Sequence, residues 1–287
     1  MEPYHTCFSG SRRKYMTQEE LIKLQNTILI IAKEIKRICE KNSIPYTLDG
    51  GTLIGAVRHK GFIPWDDDFD ISMSRENYRR FLAVCRTDLG KEFSLQTWDN
   101  DKNYPNGFCK IILNNTFLME KETINSSYKR GIYVDVFPWD YVPASTIQEK
   151  LHMLKTYYYK KIICLHDGVN EPENTAKYKK MIFSIFRVIS KVYTHDGLVK
   201  AFSKELEKYK NGSYVACMTG VYGYKKTKLE AIVFSEYTSL KFEDTYFSAV
   251  KEYDKMLRHI YGDYMVIPPV EKRRIHNLVS IDFGPYK

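Results

Sequence analysis

The sequence contains no paired cysteine motif, no long apolar run and no targeting segment. Its six cysteines are scattered, and none has the C-x-x-C spacing of a structural zinc site. No stretch approaches the ~18 apolar residues that cross a bilayer. The N-terminus lacks the basic region followed by an apolar one that marks a secretory signal. We therefore expect a cytoplasmic protein whose cysteines are reduced.

The chain also lacks internal repeats, low-complexity linkers and any recognisable nucleic-acid-binding module. Its formal net charge is +9 over 287 residues, of which 44% are hydrophobic. This hydrophobic content supports a sizeable core and argues against global disorder. Scattered basic residues suit a phosphorylated substrate or an anionic membrane face as well as nucleic acid. Because no module accompanies the charge, we expect no nucleic-acid partner.

Hydrophobic periodicity predicts an α+β fold, in which a mixed sheet core carries an appended helical region. Thr17 to Glu20 form a capping box that begins a long helix ending at Asn42. Short helices are expected from Thr52 and after Ser74. Strands are expected at the following positions: 44–48, 69–72 and 132–137, with hairpins at 108–120 (turn Asn114-Asn115) and 239–250 (turn Glu243-Asp244).

We predict a single domain that follows a short arm. The arm is residues 1–16, and the domain is residues 17–287. Within the domain we expect a core at about 17–140, a helical insertion at about 145–210 and a C-terminal part at about 211–287.

Two segments of the helical insertion mix apolar residues with lysines, Leu151–Ile163 and Tyr178–Tyr193. The pattern is typical of packing helices with a solvated basic face, which is the interpretation we favour. The alternative is peripheral contact with an anionic membrane.

Four carboxylates crowd into five residues, at Asp66, Asp67, Asp68 and Asp70. Clustered carboxylates repel one another, and apolar residues flank these on both sides, so a compensating cation is indicated. A solvated acidic loop is the alternative. Asp68 and Asp70 are two residues apart on a predicted strand and would share one face.

Asp135 lies on a second strand, on the face opposite its aliphatic residues, and can supply a further carboxylate. We therefore predict a Mg²⁺ site, with Mn²⁺ as a substitute, held by Asp66, Asp68, Asp70 and Asp135. Asp67 should point away from this group.

A glycine turn precedes the acidic segment. Gly50 and Gly51 allow close backbone approach to a phosphate, and the helix that follows, from Thr52, offers unpaired N–H donors. Arg58 and Lys60 can neutralise phosphate oxygens. Each of these features alone is also common in ordinary turns and surfaces.

The order of these motifs resembles the LicD family and, at fold level, nucleotidyltransferases of the polymerase-beta type. The resemblance rests on the stretch from Asp49 to Ile71, on Val134 to Pro138, and on C-terminal blocks at Leu257–Met265, Pro268-Pro269 and Arg274–His276. It implies a nucleotidyltransferase-like core. It also identifies Asp68 and Asp70 as the metal pair, Asp135 as the later carboxylate and Asp66 as part of the same motif.

The resemblance implies transfer of phosphocholine, or a related phospho-alcohol, from CDP-choline or another CDP-alcohol to a glycan hydroxyl. Cell-surface glycans, lipid-linked glycans and precursors of teichoic acid or lipopolysaccharide are the expected acceptors. Asp68, Asp70 and Asp135 would be catalytic, and Asp135 is the candidate base. The alternatives are a nucleotidyltransferase that releases pyrophosphate from a nucleoside triphosphate and a binding module with an inactive site.

A choline group binds aromatic faces. Trp65, Tyr133 and Trp139 are candidates, although ordinary core aromatics explain them equally well. Tyr261, Tyr264 and His276 are candidates to close the substrate pocket. The alternative is that the Tyr-Gly-Asp-Tyr stretch at 261–264 simply caps a helix.

Overall fold

The helix predicted after Thr17 is present and is capped as expected. A computed structural model describes residues 16–171, 175–273 and 275–286. Thr17 Oγ1 accepts from the Glu20 N–H, and the Glu20 carboxylate accepts from the Thr17 N–H at 2.8 Å. Asn42 caps the other end. The predicted arm lies outside the described residues except for Met16.

The described residues form eight α-helices and eleven β-strands. The helices are Gln18–Lys41 (α1), Gly50–Arg58 (α2), Arg75–Asp88 (α3), Thr146–His166 (α4), Lys177–Ser190 (α5), His195–Leu206 (α6), Gly223–Thr227 (α7) and Tyr253–Tyr261 (α8). The strands are Thr47–Leu48 (β1), Asp70–Ser74 (β2), Phe93–Gln96 (β3), Cys109–Leu113 (β4), Phe117–Glu120 (β5), Tyr133–Val142 (β6), Tyr214–Ala216 (β7), Leu229–Glu230 (β8), Tyr237–Phe242 (β9), Thr245–Val250 (β10) and Leu278–Asp282 (β11).

A mixed sheet forms the centre of the fold, and its strand order is β1-β2-β6-β4-β3. The pairing of β2 with β6 is parallel, whereas the other pairings in the sheet are antiparallel. The distal half of β6 also pairs with β7, which continues to β8. This combination of a mixed sheet with helices is consistent with the predicted α+β class.

The strand β6 alternates as the sequence predicts. Val134 and Val136 are completely buried in the main core, which also takes up the inner faces of α1 and α3. Asp135 lies on the opposite face of the strand and is half-buried. The alternation therefore turns this carboxylate away from the aliphatic core.

The hairpin predicted over Asn114 and Asn115 is wrong. Asn115 does turn the chain, with a φ of 61°, but β4 pairs with β3 and β6, while β5 pairs with β11. After the turn, Thr116 Oγ1 accepts from the Ile132 N–H at 2.9 Å, and the chain does not return along β4. The second predicted hairpin is confirmed as β9 and β10, joined by Glu243 at a φ of 53°.

The helical region packs around a hydrophobic cluster of its own. Apolar side chains of α4, α6 and β7 form it, with Phe202 at its centre. The boundaries predicted for the core, the insertion and the C-terminal part remain predictions. None of the described helices combines the length and apolar character needed to cross a bilayer.

Replacing Thr17 with alanine should lower the free energy of unfolding by about 1 kcal/mol, because the reciprocal capping bonds are lost. The matched control is Ser145→Ala at the start of α4, where the serine side chain makes no capping bond. Urea unfolding of both variants checks this. Equal losses in the two variants would show that the capping box contributes nothing specific.

Candidate active site

The parallel pairing of β2 with β6 brings two predicted site residues side by side. Asp70 is the register partner of Asp135. The Asp70 N–H donates to Thr52 Oγ1 at 2.9 Å, and the Asp135 N–H donates to the Phe69 carbonyl at 3.1 Å. Register partners in neighbouring strands point to the same face of a sheet. The fold therefore places these two carboxylates together, although 65 residues separate them in sequence.

The prediction that Asp68 lies on the same strand as Asp70 is wrong, because β2 begins at Asp70. Asp68 lies instead on the segment that enters the strand. Its charge still raises the pKa values of Asp66 and Asp70. Asp68 therefore belongs to the aspartate cluster, although it lies on the segment before β2 and not on the strand.

The two glycines of the predicted turn make room for carboxylates. A Cβ on Gly50 would lie 2.8 Å from Asp70 Oδ2, and one on Gly51 would lie 2.6 Å from Asp66 Oδ2. Gly50 also has a φ of +56°, which favours glycine. Asp49 caps the helix that follows by accepting from the Gly50 N–H at 2.7 Å. The turn thus brings the start of α2 against the acidic segment.

Burial and mutual repulsion hold these carboxyls toward their protonated forms. Burial, then the charges of Asp68 and Asp135, raise the pKa of Asp70 well above its usual range. Burial, then the charges of Asp68 and Asp67, do the same to the pKa of Asp66. Burial also raises the pKa of Asp68. The cluster is therefore under electrostatic stress that a divalent cation would relieve.

Lys110 is a part of the site that the sequence analysis missed. Burial raises the pKa of Asp135 to about 6 even though Lys110 opposes that shift. Lys110 Nζ lies 2.9 Å from Asp135 Oδ1 and 3.0 Å from the ring centroid of Tyr133. The available signal was a charged residue inside the apolar strand β4. Glu120, whose carboxylate accepts from the Tyr133 hydroxyl, was missed as well.

His276 joins the acidic segment from the C-terminal part of the chain. Its Nδ1 lies 2.8 Å from Asp67 Oδ1, its N–H donates to Asp67 Oδ2 at 3.1 Å, and its Nε2 lies 3.8 Å from Asp68 Oδ2. Asp67 is thus directed toward this histidine. The structure brings predicted residue His276 to the edge of the cluster.

The other predicted phosphate-binding residues are engaged elsewhere. Arg58 donates to the Tyr264 carbonyl at 2.6 Å and through Nε to His59 at 2.9 Å. Burial lowers the pKa of Arg58, and the charge of Asp66 partly offsets this effect. Lys60 is exposed and donates to the Val57 carbonyl at 3.0 Å, near the end of α2. Arg58 therefore lies near the cluster, and Lys60 caps a helix.

A partly open aromatic cavity of about 50 Å³ lies beside Asp70. Its lining includes Asp49, Asp70 and Gly50, with aromatic walls from Phe137, Trp139, Tyr222 and Tyr261. Trp139 and Tyr261 were candidates from the sequence, whereas Asp49 and Tyr222 were not. Trp65 is not among the lining residues, and Arg273 stacks on its ring at 3.9 Å.

The donor set fits a hard divalent cation. It consists of carboxylate oxygens, and Asp66 Oδ2 is buried without a hydrogen-bond partner among the described residues. Only one set of three His, Cys, Asp or Glu side chains in the described ranges has donor atoms all within 4.8 Å: His166, Asp167 and His195. The donor atoms of the aspartate cluster are spread more widely than this.

Replacing His276 with glutamine should remove a pH-dependent part of the stability, measured without added metal. Burial lowers the pKa of His276, but the hydrogen bond to Asp67 and the charges of Asp68 and Asp67 outweigh it and raise the pKa well above 6.5. A raised pKa in the folded state stabilises the fold below pH 6.5, and this stabilisation is lost as the pH rises through the folded value. The side chain is 43% exposed, so solvent screens part of the effect.

The measurement is the urea midpoint of parent and His276→Gln between pH 6 and pH 9, with the exposed His259→Gln as control. The gap between parent and His276→Gln should shrink as the pH rises, and the control should follow the parent. A gap that stays constant with pH would contradict the assigned ion pair.

The segments that form this site also match known proteins. The model of the family described as "LicD/FKTN/FKRP, nucleotidyltransferase domain" matches residues 43–167, which include the glycine turn, the acidic segment and Asp135. The lipopolysaccharide cholinephosphotransferase LicD of Haemophilus influenzae is 28% identical over 272 residues, covering 92% of this chain and 98% of that protein.

Two relatives without an assigned role match shorter stretches. Uncharacterized protein RT0683 of Rickettsia typhi is 36% identical over 81 residues, which is 28% of this chain and 25% of the relative. Uncharacterized protein RP689 of Rickettsia prowazekii is 30% identical over 129 residues, or 44% of each chain.

Proposed function

Because the chain belongs to the LicD family, we propose that it transfers phosphocholine, or a related phospho-alcohol, from a CDP-activated donor to a glycan hydroxyl. The proposed acceptors are precursors of lipopolysaccharide or teichoic acid, including lipid-linked ones. The observation that carries the proposal is the aromatic cavity beside Asp70. Aromatic faces bind quaternary ammonium groups, and the neighbouring carboxylates suit a metal-bound diphosphate.

Asp68, Asp70 and Asp135 would hold the divalent cation, and the unpartnered oxygen of Asp66 would add a further donor. Mg²⁺, or Mn²⁺ in its place, would neutralise the diphosphate and the negative charge that develops on the departing CMP. We propose that the core around this site is nucleotidyltransferase-like, and the parallel β2–β6 pair and the turn into α2 support this proposal.

The reaction joins the acceptor oxygen to the phosphorus that carries choline, as the bond from that phosphorus to the bridging oxygen of CMP breaks. Asp135 is the candidate base for the acceptor proton, because its carboxylate lies in register with Asp70 at the proposed site. Lys110 holds this carboxylate in place from 2.9 Å. Phe137, Trp139, Tyr222 and Tyr261 would surround the choline head.

The products decide between this reaction and nucleotidyl transfer, in which CTP would give pyrophosphate. The protein is incubated with Mg²⁺, a lipopolysaccharide-type acceptor and either CDP-choline, CDP-ribitol or CTP, and CMP and pyrophosphate are measured. We expect CMP from CDP-choline, and phosphocholine on the acceptor. Pyrophosphate from CTP, without CMP from CDP-choline, would overturn the donor. Turnover with none of the three would support a binding module.

A further inference from the structure

The outward face of α5 is apolar. Met181, Ile185 and Val188 follow one another at helical spacing, and their side chains are 65%, 54% and 67% exposed. The opposite face carries Phe183 and Ser190, which are buried. A surface helix of a globular protein normally turns its apolar stripe inward. Here a contiguous apolar stripe remains in solvent, and such stripes commonly mark interaction sites.

A second exposed apolar stripe lies on α4, which packs against α5. The Tyr158 hydroxyl lies 3.2 Å from that of Tyr193, which places the segment after α5 against α4. Ile147, Leu151 and Leu154 precede Tyr158 on the same helical face and are 74%, 55% and 64% exposed. We call the six residues Ile147, Leu151, Leu154, Met181, Ile185 and Val188 the outer patch.

The charges around the outer patch are almost all positive. The helix α5 contains no acidic residue, and Lys177, Lys179 and Lys191 are exposed beside its stripe. Lys150 and Lys155 are exposed on α4, and the one acidic residue of that helix, Glu149, is paired with Lys228 at 2.7 Å. A second copy of the chain would bring lysines against lysines. An anionic surface would neutralise them instead.

We propose that the outer patch binds the protein to the surface of an anionic phospholipid bilayer. The helix α5 lies along the interface with its apolar stripe among the acyl chains, while the flanking lysines contact phosphate head groups. Contact of this kind is peripheral, because the helix lies in the plane of the interface. The inference rests on the surface of α4 and α5 and is independent of the proposed transfer reaction.

The test is co-sedimentation of the full chain with phosphatidylcholine vesicles, with and without phosphatidylglycerol. The variant Ile185→Glu/Val188→Glu adds two charges to the outer patch. Its matched control, Ile22→Glu/Ile232→Glu, adds the same two charges at side chains that are 48% and 73% exposed elsewhere. Circular dichroism and oligomeric state by ultracentrifugation are recorded for each protein.

We expect the parent and the control to bind phosphatidylglycerol vesicles, and the patch variant to bind about tenfold less strongly while remaining folded. Added salt should weaken binding by the parent. Equal binding to both vesicle types, or equal losses in the two variants, would overturn the proposal. So would an unbound parent whose self-association is abolished by the patch variant, because the occupant would then be a second copy. CMP release from CDP-choline in detergent tests the transfer reaction separately.

Discussion

The Asp70→Asn variant should lose about a thousandfold in phosphocholine transfer, on the order of 4 kcal/mol, while remaining folded. Asp70 is the register partner of Asp135 and adjoins the aromatic cavity, so it joins the proposed metal to the proposed choline site. Asparagine keeps the shape of the side chain but removes the negative charge that a hard cation requires.

The same variant should be more stable than the parent in the absence of metal. Burial, then Asp68 and Asp135, raise the pKa of Asp70, so the folded state holds its proton more tightly than the unfolded state. The metal-free parent therefore loses stability as the pH rises from about 3.8 through the raised value. The asparagine variant lacks this cost and should show a flatter pH profile.

Thermal unfolding with EDTA and with Mg²⁺ measures this. Mg²⁺ should raise the Tm of the parent and leave that of Asp70→Asn nearly unchanged, because only a ligand bound to the folded state stabilises it. Near-normal turnover by Asp70→Asn would contradict the assignment of Asp70 as a ligand of the catalytic cation. A large loss of stability in EDTA would show instead that Asp70 supports the fold.

The Gly50→Ala variant should lose about a hundredfold in activity and about 2 kcal/mol in stability. Its new Cβ would lie 2.8 Å from Asp70 Oδ2, and the carboxylate or the turn would have to move. The shift that relieves this contact would misplace a carboxylate of the proposed site, and even small misplacements are costly in an active site. The φ of +56° adds backbone strain.

The Gly223→Ala variant is a control that introduces backbone strain without a steric contact. Gly223 has a φ of +68°, but a Cβ there would meet no heavy atom within 4 Å. This control should lose about 1 kcal/mol of stability, the cost of a left-handed alanine, and should keep its activity. Urea unfolding and CMP release are measured on both proteins. If Gly50→Ala behaves like Gly223→Ala, the glycine turn has no steric role at Asp70.

Local signals predicted the local parts of the fold. The capping box at Thr17 and the turn residue Glu243 were correct because a few neighbouring residues determine each of them. The turn at Asn114-Asn115 has equally clear chemistry, yet the flanking strands pair elsewhere. The pairing of β5 with β11 depends on residues more than 150 positions away, which no local pattern contains.

The part of the candidate site that lies within one short segment could be proposed from the sequence. Four aspartates within five residues indicated a cation before any fold was known. The role of the glycine turn was less accessible, because its contact with Asp66 and Asp70 is a property of packing. Lys110 looked like one lysine among many, and only its register opposite Asp135 reveals its place.

We propose that carboxylates on β2 and β6 together bind the divalent cation on which transfer depends. Calorimetric titration of Mg²⁺ in the presence of CDP-choline tests it most directly, on the parent and on Asp70→Asn/Asp135→Asn. We expect saturable Mg²⁺ binding by the parent and none by the folded double variant. Unchanged Mg²⁺ binding by the double variant would contradict it.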